Sequence, residues 1–189
     1  MKMKAIVNRM TALVAALVLT VSVAAAAPAD QMAERVAYEQ LAKKVRKELV
    51  TLPWYGVFDN LEYAIDGSTV TLSGQVVQPS TRRDAERRVS RLKGVERVVN
   101  NIEVLPLSGF DDSIRVRTYR ALMGWNSPLF RYGRGTNPSI HIVVRGGHVT
   151  LEGVVSNEGD RRLAYMLANG VPGVFSVTNN LRNENARAR

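Results

Sequence analysis

The sequence contains no cysteine and only two histidines in 189 residues. The missing thiol excludes disulfide bonds, thiolate catalysis, cysteine-ligated zinc and iron–sulfur clusters. It also excludes the lipid-modified cysteine that tethers many exported bacterial proteins to a membrane. His141 and His148 lack an accompanying carboxylate cluster, so they do not form a metal-ligand pattern. They stand seven residues apart and would point to opposite faces if one strand ran through both. We expect no metal and no cofactor.

Catalytic motifs are equally scarce. Ser90 and Lys93 match a Ser-x-x-Lys spacing, but the Ser-Asp-Asn and Lys-Thr-Gly companions of that motif do not occur in the chain. Asp111 and Asp112 could be read as an acid pair, yet adjacent aspartates ahead of a helical pattern are typical of a helix start. We therefore expect a binding protein and not an enzyme.

The N-terminus and the charge together narrow the partners. Lys2, Lys4 and Arg9 precede a short apolar run at residues 11–23 and small residues at 24–27, which is typical of a secretory signal cleaved near Ala26. The alternative is an uncleaved anchor, although the run is short for a membrane span. The net charge of +9 favours anionic partners. Export to the periplasm separates the protein from chromosomal DNA, so we expect lipid, polymer or protein surfaces and no nucleic acid.

A tandem repeat organises the rest of the chain. When residues 67–101 are aligned with residues 146–180, an offset of 79, many positions are identical and the alignment needs no gap. The paired positions are Gly67 and Gly146, Val70 and Val149, Leu72 and Leu151, Gly74 and Gly153, Arg83 and Arg162, Gly94 and Gly173, and Asn100 and Asn179. The residue pattern of each copy predicts a β-hairpin followed by a helix and a third strand.

Each hairpin is preceded by a helical pattern, so the predicted module order is αββαβ. Apolar residues from Ala37 to Leu52 recur at spacings of three and four, and Asp111 or Asp112 could cap the matching helix of the second copy. In the first copy, Ser80 or Thr81 could cap the helix after the hairpin. The fold class is α+β, with two tandem αββαβ modules, each a three-stranded sheet with two helices packed on one face. We place the signal peptide at 1–26, the modules at 34–106 and 111–182, and a tail at 183–189.

Two repeated features have structural interpretations. Gly74 and Gly153 interrupt strands and would allow close approach of neighbouring backbone. The asparagine pairs at 100–101 and 179–180 would either form side-chain hydrogen bonds with neighbouring backbone or bind a shared polar ligand.

The repeated motifs resemble those of the BON domain family, small modules of bacterial envelope proteins. The resemblance lies in residues 70–76, 83–86 and 94–102, and again in 149–155, 162–165 and 173–181. It implies a periplasmic location, association with phospholipid or the envelope surface, and a role in envelope integrity under osmotic stress. It implies no catalytic residues. Envelope proteins are further expected partners, and a chaperone or adaptor that binds polypeptides is the alternative function.

The second module departs from the first between its first helix and its first strand. Trp54 and Trp125 align at an offset of 71, so about eight extra residues lie within 126–137. Aromatic rings and arginines are enriched there, as at a lipid–water boundary. The predicted lipid-binding residues are Trp125, Phe130, Arg131, Tyr132, Arg134, Arg117 and Arg120. The alternative is that the tryptophans cap the module cores.

Overall fold

The computed structural model describes residues 27–135 and 137–184. The predicted signal peptide at 1–26 and the last five residues of the predicted tail lie outside the described residues. Within the described residues, those from Val36 onward form one compact unit that contains both repeats, and those before Val36 belong to a separate unit.

The first module contains two helices around a mixed sheet. Its elements are α1 (Ala27–Val50), β1 (Asn60–Asp66), β2 (Thr69–Val76), α2 (Pro79–Val89), β3 (Arg97–Asn100) and β4 (Glu103–Val104). The central strand β2 pairs antiparallel with β1 and parallel with β3 and β4. Strand β1 therefore lies at one edge of the sheet.

The second module repeats this topology. Its elements are α3 (Gly109–Met123), a 3-10 turn (Phe130–Gly133), β5 (Ile140–Arg145), β6 (His148–Val155), α4 (Glu158–Asn169), β7 (Ser176–Asn179) and β8 (Arg182–Asn183). Strand β6 pairs antiparallel with β5 and parallel with β7 and β8. The predicted α+β class with two tandem modules is confirmed.

The third strand of each sheet is divided into two segments by an asparagine. The side-chain oxygen of Asn100 accepts a hydrogen bond from the Ile102 amide, and its nitrogen donates to the Arg82 carbonyl of α2. Asn179 makes the equivalent bonds with Leu181 and Arg161. Of the two interpretations of these residues, the structure shows bonding to neighbouring backbone.

Each core lies between the sheet and its two helices. In the first module, Leu41, Val45 and Leu49 of α1 and Ala85 and Val89 of α2 are buried in one apolar cluster. The β2 residues in that cluster are Val70, Leu72 and Val76. They alternate along the strand, so both helices cover the same face of the sheet. A matching cluster in the second module joins α3, α4 and the sheet of β5 and β6.

Gly74 and Gly153 lie where backbone from the edge strand approaches closely. Gly74 has a φ of +106°, and a Cβ there would lie 2.1 Å from the Asn60 carbonyl oxygen. Gly153 has a φ of +120°, and a Cβ there would lie 2.1 Å from the Ser139 carbonyl oxygen. The predicted close approach is confirmed at both positions.

The helix starts differ from the prediction. Helix α2 begins at Pro79 after Gln78 without a side-chain cap, because Thr81 is buried in the helix and Ser80 lies inside it. Proline suits this position, since its fixed φ is helical and it has no amide to satisfy. Helix α3 is capped by Ser108, which accepts from the Asp111 amide at 3.2 Å.

One strand does not run through both histidines, so the condition under which they would point to opposite faces is not met. The turn at Gly146 and Gly147 separates His141 on β5 from His148 on β6. His141 pairs with Glu152 and His148 pairs with Arg145, so both histidines belong to the same face of the sheet. Two residues seven apart point to opposite faces of one continuous strand, but the hairpin turn between His141 and His148 brings them to the same face.

Candidate functional site

An exposed aromatic cluster lies where α3 ends in the second module. Helix α3 stops at Gly124, and Trp125 follows with 84% of its side chain exposed. Its ring centroid lies 5.1 Å from that of Phe130, which begins the 3-10 turn. The Arg134 guanidinium lies 5.8 Å from the centre of the Phe130 ring. The structure thus brings together three of the predicted lipid-binding residues, two aromatic and one cationic.

Tyr132 and Arg131 occupy a different environment from their neighbours in the turn. Tyr132 is only 6% exposed, and its hydroxyl donates to Asp160 of α4 at 2.6 Å while accepting from the Ser156 amide. Arg131 forms an ion pair with Asp160 and lies over the Tyr132 ring at 4.8 Å. Hydrogen bonding to Tyr132 raises the pKa of Arg131. These two residues fix the turn on α4; the Tyr132 hydroxyl is withdrawn from solvent, whereas 55% of the Arg131 side chain stays exposed beside its ion pair.

Arg117 and Arg120, the other predicted basic residues, lie on α3 beside α4. Both are exposed and border a shallow depression of about 430 Å³. The apolar residues that share this depression are Ala121, Met166, Leu167, Val171 and Pro172. Met166 and Phe175 are exposed apolar side chains that the sequence analysis did not select. Met166 lies on α4 away from the buried stripe of Ala164 and Ala168. Helical periodicity could therefore have identified it in the sequence as an exposed apolar residue.

A segment of the first module covers the outer edge of β5 in the second. The Ile142 amide donates to the Val57 carbonyl at 2.7 Å. His141 contacts the Gly56 carbonyl through Nδ1 at 3.2 Å and the Tyr55 hydroxyl through Nε2 at 3.3 Å. Since a carbonyl only accepts, Nδ1 carries the proton and Nε2 accepts from tyrosine. Residues Ile140 to Val144 of β5 are consequently buried on both faces.

Burial shifts the pKa values of the ionisable side chains at and near this contact. It raises the pKa of Tyr55 to about 12 and lowers the pKa of His141. Burial also raises the pKa of Asp59, against the opposing effect of hydrogen bonds from the Val77 and Gly56 amides. Loss of hydration disfavours the charged form of each group, so the histidine is held neutral.

Next to this contact lies a cleft of about 870 Å³ between the two modules. One wall consists of the exposed part of β1 with the last turns of α1. The other wall is the outer face of the second sheet. The lining side chains that carry charge are Arg46, Glu62, Glu152, Arg182 and Glu184. The cleft was not predicted, because it depends on how the two modules pack.

Comparison with known proteins identifies the class of this chain. The BON domain profile matches it twice, at residues 37–106 and 111–185. The chain therefore belongs to the BON domain family and carries two copies of the domain, as the resemblance predicted.

Two solved structures of CdsD, a structural protein of the type III secretion system of Chlamydia trachomatis, are similar to this chain at 12% identity. One covers 75% of this chain and 96% of its own chain at a TM-score of 0.27. The other covers 79% and 95% at a TM-score of 0.28. Scores of this size do not establish a shared arrangement of the modules. No curated protein matches the chain significantly.

Within residues 27–135 and 137–184, none of the helices has the length and apolar character needed to cross a bilayer. The same residues contain no group of three or more histidines, aspartates or glutamates placed to hold a metal ion.

Proposed function

We propose that this protein is a non-enzymatic envelope component of the periplasm that associates with anionic phospholipid surfaces through its second module. In this role it supports envelope integrity under osmotic stress. The observation that carries the proposal is Trp125, a large aromatic side chain that is 84% exposed beside Phe130 and Arg134. Membership of the BON family supports it.

The energetics of this surface favour weak, reversible attachment. Each basic residue near an anionic membrane contributes about 1 kcal/mol, and salt screens this contribution. Complete burial of a large apolar side chain contributes roughly 1.5–3 kcal/mol. Arg117, Arg120 and Arg134 supply the charge, and Trp125 supplies the shallow insertion. Neither contribution is sufficient alone, so binding should need both anionic lipid and the exposed ring.

Liposome co-sedimentation tests the proposal. We expect the Arg120→Glu, Arg134→Glu double variant to bind vesicles containing anionic phospholipid at least about tenfold more weakly, and with less dependence on salt. Trp125→Ser should also weaken binding, with an unchanged circular dichroism spectrum because the ring is exposed. Arg131 is left intact in this design, because its ion pair with Asp160 makes a reversal there destabilising.

Matched substitutions in the first module serve as controls. Trp54 is 66% exposed, and Arg82 and Arg83 are exposed on α2. Trp54→Ser and the Arg82→Glu, Arg83→Glu pair should retain more vesicle binding than their counterparts in the second module. Equal losses in both modules, or intact binding after the second-module reversals, would contradict the proposed membrane face.

A further inference from the structure

The inter-module cleft has the features of a peptide-binding site, a property separate from lipid association. We infer that an extended polypeptide segment, with apolar residues alternating with polar or basic ones, binds there by adding a strand to the free edge of β1. The inference rests on the equivalence of the two modules and on how the protein itself covers the second of them.

The two edge strands β1 and β5 are equivalent in register. Tyr63 pairs with Leu72 in the first sheet, and Ile142 pairs with Leu151 in the second. Each member of the first pair lies 79 residues before its counterpart. In an antiparallel ladder, paired residues either exchange both backbone hydrogen bonds or direct them away from each other.

The Ile142 amide points away from β6, because it donates to Val57 of the other module. The Tyr63 amide therefore points away from β2, together with those of Leu61 and Ile65 two residues on either side. Tyr63 and Leu61 both line the cleft. Among residues 27–135 and 137–184, no backbone group outside the sheet bonds to the Tyr63 amide, whereas the Leu61 amide lies against the Tyr55 hydroxyl and the Ile142 amide of β5 has Val57 as its partner.

Val57 belongs to a turn, and its bond with Ile142 shows that an outward amide of this edge takes an acceptor from outside the sheet. An open strand edge is a template for pairing with another chain, and the added backbone bonds supply affinity while side-chain pockets supply specificity. The cleft volume of about 870 Å³ lies within the range of ligand sites, and β1 is seven residues long. A segment of about four to seven residues fits this edge.

The walls of the cleft define the side chains of the ligand. Beside Leu61 and Tyr63, which pack against the core of the first module, the α1 wall contributes Leu49 and Val50. The opposite wall is polar, and there Asn180 donates to Glu152 at 2.6 Å. The cleft contains three glutamates and two arginines, an acidic excess within a basic protein. Successive residues of an extended ligand face opposite walls, so apolar residues should alternate with polar or basic ones.

The first experiment measures amide exchange with a defined probe. The probe is an acetylated octapeptide in which valine alternates with lysine and serine, and its control has the same composition without the alternation. In the free protein we expect the Ile142 amide to be protected and the Tyr63 amide to exchange faster. The alternating peptide should slow exchange at Tyr63 at least about tenfold, whereas the control peptide should not.

The second experiment removes the backbone donor. Proline is tolerated on an edge strand where the amide faces outward, so Tyr63→Pro should fold and lose peptide binding. Tyr63→Ala is the matched control, because it also loses the ring and its hydrogen bond to Ala42 but keeps the amide. Methylating the peptide nitrogens tests the same contact without changing the protein. Methyl groups on one alternate set of residues should abolish binding, and on the other set should leave it intact.

Several outcomes would overturn the inference. These are failure of both peptides to bind, equal binding by Tyr63→Pro and Tyr63→Ala, or insensitivity to methylation at either set of positions. Protection of the Tyr63 amide by a short-chain anionic phospholipid, in the absence of peptide, would also overturn it by assigning the cleft to lipid. The Trp125→Ser variant should bind the peptide normally, which separates this site from the proposed membrane face.

Discussion

At the scale of single residues, the two strand glycines are required by contact and by backbone conformation together. A residue with a side chain at Gly74 would combine a φ of +106° with a Cβ 2.1 Å from the Asn60 oxygen. The contact is with backbone of the paired strand, so no side-chain rotation can relieve it. We expect Gly74→Ala to reduce the free energy of unfolding by at least about 2 kcal/mol. Urea denaturation at neutral pH measures this change.

Gly67→Ala is the control for backbone conformation alone. Gly67 also has a positive φ, of +56°, but a Cβ there meets nothing within 4 Å. Its substitution should cost clearly less than that of Gly74. Equal costs at the two positions would show that conformation, and not the close approach, makes the glycine necessary.

The residue scale also shows which of the predicted lipid-binding residues the structure brings together and which it separates. The enrichment of aromatic and basic residues in the longer loop identified Trp125, Phe130 and Arg134, which the structure places together. Composition alone could not separate Trp125 from Tyr132, because burial of the tyrosine depends on a hydrogen bond to Asp160, 28 residues later in the chain. Local patterns do not record partners at that distance.

At the scale of secondary-structure elements, one aspartate joins a helix start to a hairpin. The two carboxylate oxygens of Asp111 accept from the Gly146 amide at 2.9 Å and the Gly147 amide at 2.8 Å. Asp111→Ala would leave these amides without their acceptor, and such a loss costs about 1–3 kcal/mol when the donor is buried. Thermal unfolding should therefore show a lower melting temperature. Ser113→Ala, on an exposed position of the same helix, should have a much smaller effect.

The order of the elements was predictable because the repeat made each copy a check on the other. The helix starts were not, since Asp111 and Ser108 both suit a cap and the choice depends on what else each can bond. In the folded chain the hairpin amides engage the aspartate carboxylate, while Ser108 caps the helix. Tertiary contacts therefore decide which of several suitable residues caps the helix.

At the scale of the whole molecule, the contact between the modules explains why the two edge strands differ. The sequence 60–66 of β1 alternates between exposed and half-buried positions after Asn60, whereas Ile140–Val144 of β5 is buried throughout. An apolar run interrupted only by His141 indicates a strand covered on both faces. That pattern was available in the sequence, but the identity of the covering segment was not. The cleft follows from the same packing and has no signature in either module alone.

His141 makes this contact sensitive to pH, since its imidazole is 7% exposed and held neutral between Gly56 and Tyr55. Burial lowers the pKa of His141 in the folded protein below that in the unfolded chain. The unfolded chain therefore binds the proton first as the pH falls below about 6.5, and the stabilisation present above that pH is progressively lost. The loss is at most about 1.4 kcal/mol per pH unit until the folded pKa is reached.

His141→Asn should isolate this contribution, because its amide can keep the donor to the Gly56 carbonyl and does not titrate. We expect the free energy of unfolding to fall less steeply between pH 7 and pH 5 in the variant than in the wild-type protein, as measured by urea denaturation at several pH values. The raised pKa of Asp59 acts in both proteins and cancels in the difference. Parallel pH profiles would show that the neutral histidine does not contribute to the stability of the inter-module contact.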